Sequence, residues 1–249
     1  MQTNTKGHKK PTLLMIAGFG DNVSMFENLT NTPLADEYNL IMLDLPGFGS
    51  HKLSSHELSI PALEETSLIS LAEFVSEQTE RYDATAILAH SVASVIASLA
   101  ASMRGTNIHT LLSLEGNLTA EDAYFSGMAA DYDDAATFFD AFQNKLAKMA
   151  ETDPIIARYR AEVARADVNA LWELGCNAKA FTHYNHPGEL LMQAAHAVYI
   201  YNPDNCAPSS LRWLQASSME RYILAGASHW PSIDRPNDLS QIILTALDR

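Results

Sequence analysis

Short apolar runs alternate with longer amphipathic stretches through the first half of the chain. The runs 12–17, 39–44, 84–89 and 108–114 carry few polar side chains and no strict polar alternation. Such runs read as strands buried on both faces, the mark of a parallel sheet. Between them, 61–80 and 92–104 place apolar residues at helical spacing. The pattern predicts an α/β fold, a mostly parallel central sheet flanked by helices. From 118 to 187 no strand-like run occurs. Thr119 followed by Glu121 and Asp122 reads as a capped helix start. Phe138, Phe139, Phe142, Leu146 and Met149 recur at helical spacing, Pro154 breaks the run, and a further helix is expected over 155–174, stopped by Gly175. Strand and helix then alternate again, with strands at 196–201 and 220–224 and helices at 209–216 and 237–247. The expected organisation is a core of 1–117 and 188–249 interrupted by a helical insertion, 118–187.

One junction in this pattern carries chemistry. The run Ala86-Ile87-Leu88 leads into His90-Ser91 and then into a small-residue helix starting at Val92. A serine at a strand-to-helix corner has its hydroxyl pushed out above the sheet, beside the free N–H groups of the helix start. The nucleophile-elbow pattern G-x-S-x-G has alanines here, Ala89 and Ala93, in place of both glycines. They keep the small size that close packing needs but lose dihedral freedom.

Three further stretches fall in a telling order. The first apolar run ends in the turn Ala17-Gly18-Phe19-Gly20, and the second leads into Asp44-Leu45-Pro46-Gly47-Phe48-Gly49-Ser50. Near the C-terminus stands Gly226-Ala227-Ser228-His229-Trp230-Pro231. Together with Ser91 these motifs resemble the α/β-hydrolase fold family, in its serine-nucleophile, esterase-like branch, over nearly the whole chain. The resemblance implies Ser91 as nucleophile and His229 as its general base. It also implies an oxyanion hole made by the backbone N–H groups of Phe19 and Val92, and a helical cap formed by 118–187 over the active site. Ala17-Gly18 stands where the family carries a His-Gly pair. The acid has two candidates. Most of the family places an aspartate after the seventh strand, in a G-x-x-D turn, but this chain reads Tyr201-Asn202-Pro203-Asp204-Asn205 there. Other members carry a glutamate after the sixth strand, where this chain has Glu115. A charge directly behind the apolar run 111–114 is costly to bury without a partner, and an imidazole would be one. Glu115 is therefore preferred, with Asp204 as the alternative. His90 is expected to point into the fold or flank the pocket, and Ser24 and Phe26 to line its mouth.

A serine nucleophile disfavours the dehalogenase and epoxide-hydrolase branches, which the resemblance gives a carboxylate nucleophile. The expected reaction is hydrolysis of a carboxylic ester of a small-to-medium apolar substrate through an acyl-serine. The alternatives are a C–C hydrolase or thioesterase with the same triad, or a non-catalytic small-molecule receptor of the same fold. The net charge of −14 disfavours nucleic acid and anionic membranes as partners. No apolar run reaches the roughly 20 residues that span a bilayer, and the apolar stretch 13–16 is too short for a signal-peptide core. A cytoplasmic protein is expected, with a small ester-type molecule as its partner. Cys176 and Cys206 fit no disulfide or metal framework, and His183 and His186 lack further ligands, so no cofactor or metal is expected.

Overall fold

The computed structural model describes residues 10–49, 62–194 and 196–248. Six strands form one sheet: β1 (Thr12–Ile16), β2 (Asn39–Leu43), β3 (Ala84–His90), β4 (Thr110–Leu114), β5 (His196–Tyr201) and β6 (Glu220–Ile223). Their spatial order is β2-β1-β3-β4-β5-β6, and every pairing is parallel. All five residues of β1 are buried, as are all but one in each of β3 and β4, because helices cover both faces of the sheet. The two edge strands, β2 and β6, are the more exposed. Ser50, the last residue of the glycine-rich turn, lies outside the described residues.

The helices are α1 (Leu34–Glu37), α2 (Leu68–Tyr82), α3 (Ala93–Ala101), α4 (Ala135–Ala150), α5 (Pro154–Val163), α6 (Val168–Tyr184), α7 (Pro187–Gln193), α8 (Pro208–Ala216), α9 (Pro231–Asp234) and α10 (Pro236–Leu247). Helices α2 and α3 pack on each other against the sheet. Between β4 and β5 the chain forms two short 3-10 turns and then α4 to α7, with no strand among the described residues. No described helix is long and apolar enough to cross a membrane.

Two helical expectations are corrected. The helix expected over 61–80 starts only at Leu68. Ser67 caps it by accepting from the Ser70 N–H, while the Thr66 N–H is drawn off to Glu173 of α6. The single helix expected over 155–174 is two. Asp167 accepts from the N–H groups of Asn169 and Ala170 and so opens a new helix, α6. Gly175 does not stop α6 but lies inside it. A β-carbon there would stand 2.4 Å from that of Ala129 and 2.6 Å from the Ser126 carbonyl, so this glycine serves close packing rather than a turn. On α4 the buried stripe is Ala135, Phe138, Phe142 and Leu146, while Met149 is exposed.

Candidate active site

Strand order reverses beside β1: the chain passes outward to β2 and returns across β1 to β3. The carboxyl ends of β1 and β3 therefore splay apart at a topological switch point, where open α/β sheets bind their ligands. The register aligns the strand ends in one row. Ile16 pairs with Ala89, His90 with Leu114, and Leu114 with Ile200. The residues that follow, Ser91 and Glu115, leave the sheet side by side. The Ser91 N–H donates to Leu114 O at 2.9 Å and the Glu115 N–H to Ile200 O at 2.9 Å.

Both residues take the left-handed conformation, with φ of 53° at Ser91 and 49° at Glu115. A side chain is strained there, by about 1–3 kcal/mol each, and such strain gathers where geometry matters to function. At Ser91 the turn lifts the hydroxyl to the start of α3. Ala89 and Ala93, the residues in place of the motif glycines, are fully buried. Gly18 is packed still closer: a β-carbon there would lie 2.8 Å from His90 Nδ1 and 2.9 Å from Ser91 Cβ.

The loop that carries His229 is held by its backbone from two sides. His90 Nε2 donates to the His229 carbonyl at 2.8 Å, and Asn202 Nδ2 donates to the Ala227 carbonyl at 2.8 Å. Glu115 is buried, and its Oε1 accepts from the Asn202 N–H at 2.6 Å. Its Oε2 lies 3.7 Å from His229 Nδ1. That is ion-pair range and longer than a hydrogen bond. Catalytic hydrogen bonds are often this loose before substrate tightens them. Asp204 is exposed in the turn Pro203–Asn205, with its N–H rather than its carboxylate engaged, by Asn202 Oδ1 at 3.4 Å. The structure thus brings Glu115, and not Asp204, to His229. His90 lines the site with its ring 4.8 Å from that of His229. Burial, and next the nearby His229, hold it well below the usual histidine range, so it stays neutral.

Gly18, Phe19, Asp21, His90, Ser91, Tyr159, His229 and Trp230 line a pocket with about 190 Å³ of empty space. The N–H groups of Phe19 and Val92 have no hydrogen-bond partner among the described residues. Phe26, expected at the mouth, is instead fully buried in the core, and Ser24 sits beside Arg158 rather than on the lining. Two lining residues carry no sequence motif. Asp21 is a buried carboxylate that accepts from Arg158, from Trp230 Nε1 at 3.0 Å and from the Asn22 N–H at 2.9 Å. Tyr159 donates to the Phe19 carbonyl at 2.6 Å, and its ring stands 5.0 Å from that of Trp230. Burial raises the Tyr159 pKa well above the usual tyrosine range, so its hydroxyl remains a donor. Among the described residues, no group of three or more His, Cys, Asp or Glu is placed to hold a metal ion.

The chain belongs to the alpha/beta hydrolase family, which it matches over residues 13–242. No curated protein sequence matches it. Solved structures of similar fold include a hydrolase from Oleispira antarctica, 18% identical with a TM-score of 0.72, covering 98% of this chain and 93% of that one. An enol-lactonase from Burkholderia xenovorans is 16% identical with a TM-score of 0.70, over 98% of this chain and 94% of that one. A thermophilic esterase from Thermogutta terrifontis is 14% identical with a TM-score of 0.68, over 96% and 91%. At such identities the likeness is one of fold. Family membership supports hydrolase activity.

Proposed function

We propose that this protein is a serine hydrolase that cleaves a carboxylic ester of a small, fairly apolar substrate through an acyl-Ser91 intermediate. The observation that carries this reading is the meeting of Ser91, His229 and a buried Glu115 at the switch point of the sheet. An esterase and an enol-lactonase among the proteins of similar fold are consistent with it.

In this mechanism Ser91 Oγ attacks the ester carbonyl carbon while His229 takes its proton. The carbonyl oxygen becomes an oxyanion, and the unpaired N–H groups of Phe19 and Val92 are the donors offered to it. The tetrahedral intermediate collapses, the C–O bond to the alcohol breaks, and His229 returns the proton to the leaving alcohol. His229 then draws a proton from water, which attacks the acyl-enzyme and frees the acid. Glu115 faces Nδ1 of the imidazole, which leaves Nε2 for the serine and stabilises the imidazolium formed at each step. The 118–187 helices act as a cap: Tyr159 of α5 closes the pocket and Phe138 and Phe142 of α4 back it, which excludes water.

The test is hydrolysis of p-nitrophenyl esters from acetate to decanoate, wild type beside Ser91→Ala. Multiple turnover on the short esters, abolished in the folded variant, is the expected result. A Ser91→Ala variant as active as wild type would sink the mechanism. A wild type silent on every ester would shift the reading to C–C or thioester cleavage or to ligand binding alone.

A further inference from the structure

The loop 18–22, which offers the Phe19 N–H to the pocket, is not held by the core alone. Its bonds to the core are few: the turn from the Asp21 N–H to Gly18 O at 3.2 Å, Trp230 on Asp21, and the Val23 N–H on Asp44 at 2.8 Å just beyond it. Asn22 also caps the 3-10 turn that follows, accepting from the Ser24 N–H at 2.9 Å and from the Met25 N–H at 3.2 Å. Other polar groups of the loop face α5. Tyr159 donates to the Phe19 carbonyl at 2.6 Å, Arg158 donates to both carboxylate oxygens of Asp21, and Asn22 Nδ2 donates to Glu162 at 2.5 Å. Three polar side chains of α5, Arg158, Tyr159 and Glu162, thus grip three residues of the loop. The Phe19 ring is held in the same way, edge-on to Phe142 at 5.8 Å and tilted against Phe138 at 6.4 Å. Ala17, directly before Gly18, has no polar group with which to anchor the loop from within.

We propose that α5 is the positioning element of the oxyanion hole, with Tyr159 as its principal residue. The inference rests on the serine-hydrolase reading. Tyr159 of α5 fixes the Phe19 carbonyl while Phe138 and Phe142 of α4 back its ring, and together they restrict the rotation about the Phe19 α-carbon that aims the N–H. The donor is aimed only while α5 is docked.

The experiment compares wild type, Tyr159→Phe and Arg158→Lys. It follows kcat and KM on a short p-nitrophenyl ester, inhibition by a trifluoromethyl ketone, labelling by a fluorophosphonate, and Tm. The ketone adds the serine oxygen to its carbonyl and leaves an oxyanion in the hole, so its affinity reports the aimed donor directly. Expected for Tyr159→Phe is a fall in kcat of about 10- to 100-fold, in the range a misplaced group produces. Ketone affinity should fall by a similar factor, with KM little changed and the fold intact. Arg158→Lys should show a milder form of the same split. Variants with lowered Tm but wild-type kcat and ketone affinity would make α5 a mere tether and overturn the proposal. A wild type that is neither labelled nor turns over any ester overturns the serine-hydrolase reading, and the clamp with it. A labelled, active wild type beside an equally active Tyr159→Phe overturns the clamp alone.

Discussion

Ser91 and Glu115 leave adjacent strands in the same left-handed conformation; Ser91 lines the pocket and Glu115 faces His229, which lines it too. The strained backbone aims each side chain to one side of the strand ends, a direction that an extended continuation would not give. Glu115 is placed to orient His229, whereas Asp204 faces solvent. Glu115→Gln should therefore lower kcat by about 10⁴-fold, as loss of the orienting carboxylate does in a serine triad. Asp204→Asn should stay near wild type, and steady-state kinetics on one ester decides between them. Gly18 allows a second test at this scale. A methyl at this position meets His90 Nδ1 and Ser91 Cβ, so Gly18→Ala should push the loop off Ser91. A loss of about 100-fold in kcat is expected, with Ser91 still open to fluorophosphonate labelling. Ser91 and His229 were legible from the chain because each is announced by its own neighbours, a strand running into a helix and a glycine-flanked turn. Asp21, Arg158 and Tyr159 were not. Their bonds join positions 137 to 140 residues apart, and no local pattern marks such a pair.

The strands were the most legible elements. Burial on both faces requires an unbroken apolar run, and such a run is visible in one dimension. Helix ends were less so. The break between α5 and α6 depends on Asp167, an ordinary aspartate until its side chain caps the second helix. Gly175 misled for a related reason: glycine marks a turn when its backbone needs freedom, and close packing when a neighbour needs space, and only the neighbour tells which. Gly175→Leu should thus destabilise the protein by about 1–3 kcal/mol in urea unfolding, because the side chain is driven into Ala129 and the Ser126 carbonyl. The same substitution crowds the Phe19 ring, 3.3 Å from that β-carbon position, so a loss of activity should accompany the loss of stability.

At the scale of the molecule, the histidine loop, the nucleophile strand and the 18–22 loop are tied into one unit. His90 lies at its centre, buried and neutral, donating to the His229 carbonyl. Its folded pKa is well below 6.5 while the unfolded chain binds a proton near that value, so below pH 6.5 the unfolded state holds more protons than the folded one. Stability contributed by the neutral ring is fully present above about pH 6.5 and is lost as pH falls from there toward the folded pKa. Urea unfolding of wild type should show stability dropping from pH 7 to pH 5, and His90→Gln, which cannot titrate, should show a shallower drop. Equal slopes would mean that His90 is not the group responsible.

The sequence by itself determined the α/β class, the order of strands and helices, and the turns that carry Ser91 and His229. These follow from hydrophobic periodicity and short turn motifs, which act over a few neighbouring residues. Only the tertiary structure decided which carboxylate meets His229, and that α5 holds the loop offering the Phe19 N–H. Strand register and helix docking make those choices, because they join residues far apart in the chain. What they select is fixed by burial and direction, neither of which a single residue carries on its own.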